Sequence, residues 1–142
     1  RREGGGIMGE RLPLNSLQKG IYSRLTDGSA GISTTVYDEV PENTAPPYVE
    51  IGSCSVALDL ETISECTTTL HAFSEAAGNK ECNDILEASI ESLTSSALTL
   101  DEDFSQALAR LELAEIFKEY HADGKLIRHG VLRFRWILSD DS

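Results

Sequence analysis

The dipeptide Asp123-Gly124, set between two long runs of β-compatible residues, constrains the fold of this chain more than any other feature. Asp-Gly supplies the backbone angles of a tight turn, so Ala122-Asp123-Gly124-Lys125 predicts a β-hairpin, and a hairpin needs two strands. Downstream the pattern agrees. From Val131 to Ile137, Arg133 and Arg135 fall on one face, with Leu132, Phe134 and Trp136 on the other. Upstream it conflicts, because Leu108 to Glu119 is rich in Ala, Leu, Arg and Glu, which favour helix. The turn decides the matter, and Leu108–Glu119 is predicted as a strand against its propensity.

The rest of the chain reads as two helices and further strands. Leu14, Leu17, Ile21 and Leu25 recur at helical spacing behind Pro13, and Asp27-Gly28 stops them. Gly28–Pro47 is a loop with one short extended stretch, Thr34–Asp38, and it holds Pro41, Pro46 and Pro47, which stiffen it. Tyr48–Leu58 and Ile63–Phe73 read as strands, the second helped by the β-branched Thr67-Thr68-Thr69. Gly78-Asn79 then opens a helix whose apolar stripe is Cys82, Ile85, Leu86, Ile90 and Leu93. The predicted architecture is a single α+β domain over residues 13–138: an antiparallel β-sheet with two helices packed on it and a C-terminal β-hairpin. Residues 1–12, with Gly4-Gly5-Gly6, read as a flexible arm or a vector remnant with Met8 as a candidate native start, and 139–142 as a disordered tail.

At 142 residues and 40 % apolar, the chain can bury a core without disulfide or metal. No apolar run approaches the roughly 18–20 residues that span a bilayer, so no membrane partner is expected. Cys54, Cys66 and Cys82 form no CxxC and read as small buried residues in a reducing compartment. The net charge is −12, and between Asp38 and Asp103 fifteen acids face a single base, Lys80. Phosphate binding depends on Lys and Arg displacing counterions, so gripping nucleic acid is disfavoured. Like charge is compatible with DNA that slides past without adhering.

Catalytic signatures are missing: there is no GxSxG, P-loop, GxGxxG after a strand, or HExxH. His71, His121 and His129 show no metal-ligand spacing, and no cofactor or metal is expected. The acid pair Asp59/Glu61 and the Asp101-Glu102-Asp103 turn read as solvated, the turn lacking the length and glycine of a calcium loop. His129 reads as an edge-strand histidine rather than a general base. Arg133 and Arg135 are expected to pair with carboxylates across the sheet or on a neighbouring subunit. Tyr37 and Tyr48 flank the stiff proline segment, which suits Tyr37, Asp38, Pro41, Pro46, Pro47 and Tyr48 to subunit contact, the alternative being a loop packed on its own subunit.

Four stretches in order carry a family resemblance. They are Val36-Tyr37-Asp38-Glu39-Val40-Pro41 with Pro46-Pro47-Tyr48-Val49-Glu50-Ile51-Gly52; the Leu17…Ile21…Leu25 helix; Thr69-Leu70-His71-Ala72-Phe73-Ser74 before a turn and helix; and His129-Gly130-Val131-Leu132-Arg133-Phe134-Arg135. Together, over about Leu14 to Ile137, the chain resembles the small tail-completion proteins of long-tailed bacteriophages, the tail-terminator or tail-to-head joining proteins. The resemblance implies a non-enzymatic virion subunit of the tail neck, assembled in the host cytoplasm, and it supports a strand at Leu108–Glu119. It implies a homo-hexameric ring on the last ring of the tail tube protein, offering a surface to the head-completion or connector protein while DNA passes through. Tyr37, Asp38, Pro41, Pro46, Pro47, Tyr48, Arg133 and Arg135 are the expected subunit-interface residues. The alternatives are a head-completion or stopper protein of the neck, an acidic DNA mimic, and a small hydrolase using His129 and Asp101.

Overall fold

Seven elements follow one another: α1 (Leu14–Leu25), β1 (Val36–Tyr37), β2 (Tyr48–Leu60), β3 (Ile63–Ser74), α2 (Lys80–Thr94), β4 (Phe104–Tyr120) and β5 (Leu126–Asp140). The computed structural model describes residues 11–60 and 62–142, with the side chains of 58–60 outside that description. Residues 1–10, most of the expected arm, and Glu61 therefore lie outside the described residues, as does the Asp59/Glu61 pair.

The hairpin forms as the turn predicts. Gly124 takes a φ of +84°, its N–H donates to the His121 carbonyl at 2.8 Å, and the Lys125 N–H donates to the Asp123 carboxylate at 2.9 Å. β4 and β5 then pair antiparallel from Tyr120↔Leu126 to Phe104↔Asp140. The long-range pairing thus overrides the helix propensity of β4, as tertiary context commonly does.

The sheet order is β1-β2-β3-β5-β4. All the long strands alternate in direction, but β1 runs parallel to β2 through Val36↔Val49 and Tyr37↔Glu50. The sheet is therefore mixed, not wholly antiparallel. The connection at 38–47 is too long for a tight turn and brings the chain back to the starting end of β1, and a contact of only two residues needs no covering helix.

Both helices cover one face. Along β3 the alternation is strict: Ser64, Cys66, Thr68, Leu70, Ala72 and Ser74 are buried, and the residues between them are half-buried. Leu17, Ile21 and Leu25 of α1 and Cys82, Ile85, Leu86 and Leu93 of α2 close on Leu70, Leu132, Phe134 and Trp136. Burial pushes the Cys66 thiol up to about 12, so it behaves as an apolar residue. Arg24, in the last turn of α1, ties the helices together by donating to the carbonyls of Ser92, Ser96 and Ala97 at the end of α2.

The ends of the domain differ from expectation. Ser139 and Asp140 belong to β5 and not to a tail, and Asp140 is nearly buried. Its carboxylate needs a counter-charge, which Arg11 supplies through contacts of 2.7 and 3.1 Å while lying 4.3 Å over the Phe104 ring. That hydrogen bond holds Asp140 well below the usual carboxylate range.

Candidate functional site

The strand period of two that buries one face of the sheet must display the other, and among the described residues no helix covers it. The register then sorts this face into rows. Tyr48 stands opposite Phe73, Phe73 opposite His129, and His129 opposite Phe117. Their ring centroids are 5.1, 4.3 and 4.7 Å apart, and Tyr37 of β1 continues the row edge-on at 5.9 Å from Tyr48. All five strands contribute one ring. Packed aromatic pairs contribute about 0.5–1.5 kcal/mol beyond their burial, so the row stiffens the sheet across its width.

A hydrogen-bonded chain lies beside this row. His71 Nδ1 is 2.8 Å from His129 Nε2, and His129 Nδ1 is 3.0 Å from Glu119 Oε1. The second Glu119 oxygen is 3.0 Å from His121 Nε2, so the chain joins every histidine of the protein. A carboxylate only accepts, so His129 Nδ1–H donates to Glu119, leaving His129 Nε2 to accept from His71 Nδ1–H. The bond from His129 holds Glu119 below the ordinary carboxyl value; burial, and then His129, holds His71 below the ordinary imidazole value. Gly52 makes room for this packing: a Cβ there would stand 2.7 Å from the His71 ring.

A charged group completes the face. Arg135 reaches Glu65 on β3 at 2.9 Å and Glu112 on β4 at 3.2 Å, and Arg133 approaches Glu112 at 3.7 Å. Glu112 sits where the β4 register slips between Leu111 and Leu113, which turns its carboxylate toward both arginines. These pairs are part-exposed and worth well under about 1 kcal/mol each, so they set alignment more than stability.

The eight expected interface residues divide. Tyr37, Tyr48, Arg133 and Arg135 share the helix-free face. Asp38 accepts a hydrogen bond from the Gln18 amide and lines a groove between α1 and β1. The prolines lie in the loop between β1 and β2. The Pro41 carbonyl accepts from Thr44 Oγ1 at 2.6 Å, Pro46 lines a groove with His121 and Lys125, and Pro47 lines another with Ala76 and Lys80. His129 is not on an edge, since β5 lies between β3 and β4 and β4 is the outer strand. Reading β5 without its neighbours concealed this. Sequence reasoning also missed Phe73, Phe117, His71 and Glu119. One signal was available: the Asp-Gly turn fixes the hairpin register, which sets Phe117 opposite His129 and Glu119 opposite Ile127.

The face offers shape and alignment more than reactivity. Both His129 nitrogens are engaged by His71 and Glu119, and aromatic rings pack beside it. Among the described residues no three His, Cys, Asp or Glu side chains converge as metal ligands. Asp101, considered with His129 for hydrolysis, is held by Lys19 at 2.6 Å on the α1 side. The acids concentrated in the middle of the chain mostly sit elsewhere: Asp84, Glu87 and Glu91 are on the solvent side of α2, and Asp38, Glu39 and Glu42 are in the loop after β1.

Residues 19–139 match the model of the family described as tail completion protein gp17. A chain of the solved structure described as "Virion of native gene transfer agent (GTA) particle" is similar in fold, with a TM-score of 0.72 at 23 % sequence identity. The alignment covers 88 % of the present chain and 96 % of that one. Among curated proteins, none matches the sequence.

Proposed function

The chain belongs to the tail completion protein gp17 family, and from that premise we propose that it closes the head-proximal end of a phage tail tube as a ring of identical subunits. Family membership makes it a structural tail protein of the virion. In the proposed role its ring, a hexamer, docks on the last ring of tail tube protein, ends tube growth and presents its far side to the head connector. DNA passes through the opening without specific binding. The work is done by docking and not by turnover.

The observation that carries this reading is the helix-free face, a broad sheet surface with an aromatic ring on every strand and an Arg–Glu network beside it. Aromatic side chains and Arg are the residue types enriched where proteins meet. Tyr37, Tyr48, Arg133 and Arg135 on this face, with Asp38, Pro41, Pro46 and Pro47 of the loop between β1 and β2, are the proposed contact set. Electron microscopy of the purified protein with tail tubes tests the role. Caps at one tube end are expected. Binding to the head connector with bare tube ends would instead identify a stopper on the other side of the joint.

A further inference from the structure

The three histidines of the protein meet through one carboxylate, and the bonding between them limits how many protons the group can hold. In the neutral chain His71 Nδ1–H donates to His129 Nε2, and His129 Nδ1–H donates to Glu119, so His71 Nε2 is the nitrogen that takes a first proton. That proton breaks nothing. His71 still donates, and the charge can pass along the bond to His129, whose Nε2–H then donates back to His71 Nδ1. A second proton differs. Both facing nitrogens then carry hydrogen, no acceptor remains between them, and two cations stand with ring centroids 5.0 Å apart. The bond must break.

Each element packed against the pair bears on this count. Glu50 of β2 stands opposite His71, and Glu115 of β4 ends the same cross-strand row beyond Val131. Glu119 of β4 accepts from His129 and is shared by His121 of the turn. These acids favour a first charge. The cations are drawn elsewhere: Arg133, one row along β5, lies 3.7 Å from Glu112, and Lys125, which lines a groove with His121 and Asp123, lies 3.3 Å from Glu75. Burial and then Glu50 push the Tyr48 phenol up, so it stays neutral. The side chain of His129 is only 14 % exposed, which leaves a second charge poorly screened. Phe73 and Phe117 pack on its ring at 4.3 and 4.7 Å, so a displaced His129 disturbs the aromatic row.

We propose that His71, His129 and Glu119 form a proton-counting clasp on the helix-free face: it stays closed with one added proton and opens on the second, and its opening loosens the contact between neighbouring subunits. The opening stands on the geometry of the chain alone. The loss of contact rests on the ring reading, in which this face meets a second copy. Docking buries the two rings further, and burial disfavours their charged forms, so association and double protonation oppose each other by linkage.

Nitrogen NMR of the histidine rings in the full chain, with analytical ultracentrifugation over the same pH range, tests both halves. At about pH 7.5, above the ordinary histidine value, His71 and His129 are both expected as Nδ1–H tautomers. Toward about pH 5 the pair is expected to take up protons in two separate steps, with the Phe73 and Phe117 ring signals moving only in the second. His71→Gln is the control, because an amide both donates and accepts and so can stay bonded to His129 in either protonation state. In that variant His129 is expected to titrate in one step while the ring signals hold still. Self-association of the unaltered chain is expected to weaken at least about tenfold over this range, the effect of one linked proton across one pH unit, and to weaken far less in His71→Gln. A single step, or ring signals that follow the first proton, would overturn the clasp and leave the ring reading untouched. Two steps with unchanged association would refute the coupling. If the unaltered chain forms no ring at either pH, alone or on tail tubes, the ring reading fails and the coupling with it, while the NMR still decides the clasp.

Discussion

His71 and His129 share one hydrogen bond of 2.8 Å between neighbouring inner strands, so at most one proton occupies the space between the two rings. Burial, and secondarily His129, disfavours charge on His71; Glu50 on β2 and Glu119 on β4 pull the other way and do not overcome it.

The sign of the resulting pH dependence follows from this. A histidine whose folded pKa is depressed stabilises the fold in its neutral form, because the unfolded chain takes up the proton first. Stability is therefore full above the ordinary value of 6.5 and falls as pH drops below it toward the lower folded value. Glu119 is depressed too, so its contribution is full above its ordinary 4.5 and is lost as pH falls further. Urea midpoints are expected to fall between pH 7.5 and 5.5, with a second drop below 4.5. His71→Gln should flatten the first step and leave the second. An unchanged first step would remove His71 as its origin.

The indole N–H of Trp136 donates to Thr68 Oγ1 at 2.9 Å, with both residues buried between sheet and helices. Thr68→Val preserves shape but leaves the donor unpaired, at an expected loss of about 1–3 kcal/mol. Thr68→Ser keeps the bond and loses one methyl, an expected loss of about 0.8 kcal/mol. Trp136 is the single tryptophan, so its fluorescence reports both the unfolding transition and the change at the bond.

These two sites show what the sequence could and could not reveal. The buried face of β5 was legible because Leu132, Phe134 and Trp136 alternate with arginines, and a period of two has one reading. β4 was legible only through its turn, since its composition argues for helix. The parallel direction of β1 was not legible, because two residues carry no periodicity. The aromatic row was half legible: the turn registers Phe117 against His129, but Phe73 and Tyr48 join through pairings with no local turn to count from across β3 and β5. The proline loop was legible as stiff, yet stiffness does not tell where a loop packs. Here Pro46 and Pro47 line grooves shared with the hairpin turn and with the start of α2.

Arg24 gives a prediction about how the helices are held. Its guanidinium donates to the carbonyls of Ser92, Ser96 and Ala97 at 2.8, 3.1 and 2.8 Å, and to the Ser96 hydroxyl at 3.2 Å. These carbonyls sit at the negative end of α2, where a cation is favoured. Arg24→Ala should cost about 1.5–3 kcal/mol, the range for hydrogen bonds to a charged group. Faster amide exchange is expected at residues 94–98, with α1 itself retained. Arg24→Lys should recover little, because an ammonium lacks the planar fork that reaches several carbonyls at once.

Gly130 faces α2 where the helix lies closest to β5, and its backbone is not left-handed, so any cost of a side chain there is steric. A Cβ would stand 2.9 Å from Cys82 Sγ and 3.0 Å from both Leu86 methyls. The first contact forces a shift and the others a yield of a few tenths of an ångström, yet Cys82 and Leu86 are buried in the packed core. Gly130→Ala is therefore expected to cost about 1–3 kcal/mol, as overpacking does. Cys82→Ala alone leaves a small void and is also destabilising. Combined, the new methyl occupies space the sulfur vacates, so the double variant should be more stable than the sum of the two single losses implies. Leu86 remains, so recovery is partial. Chemical denaturation of the four proteins measures the coupling, and strict additivity would mean that α2 lifts away from β5 as a body instead of clashing at Cys82.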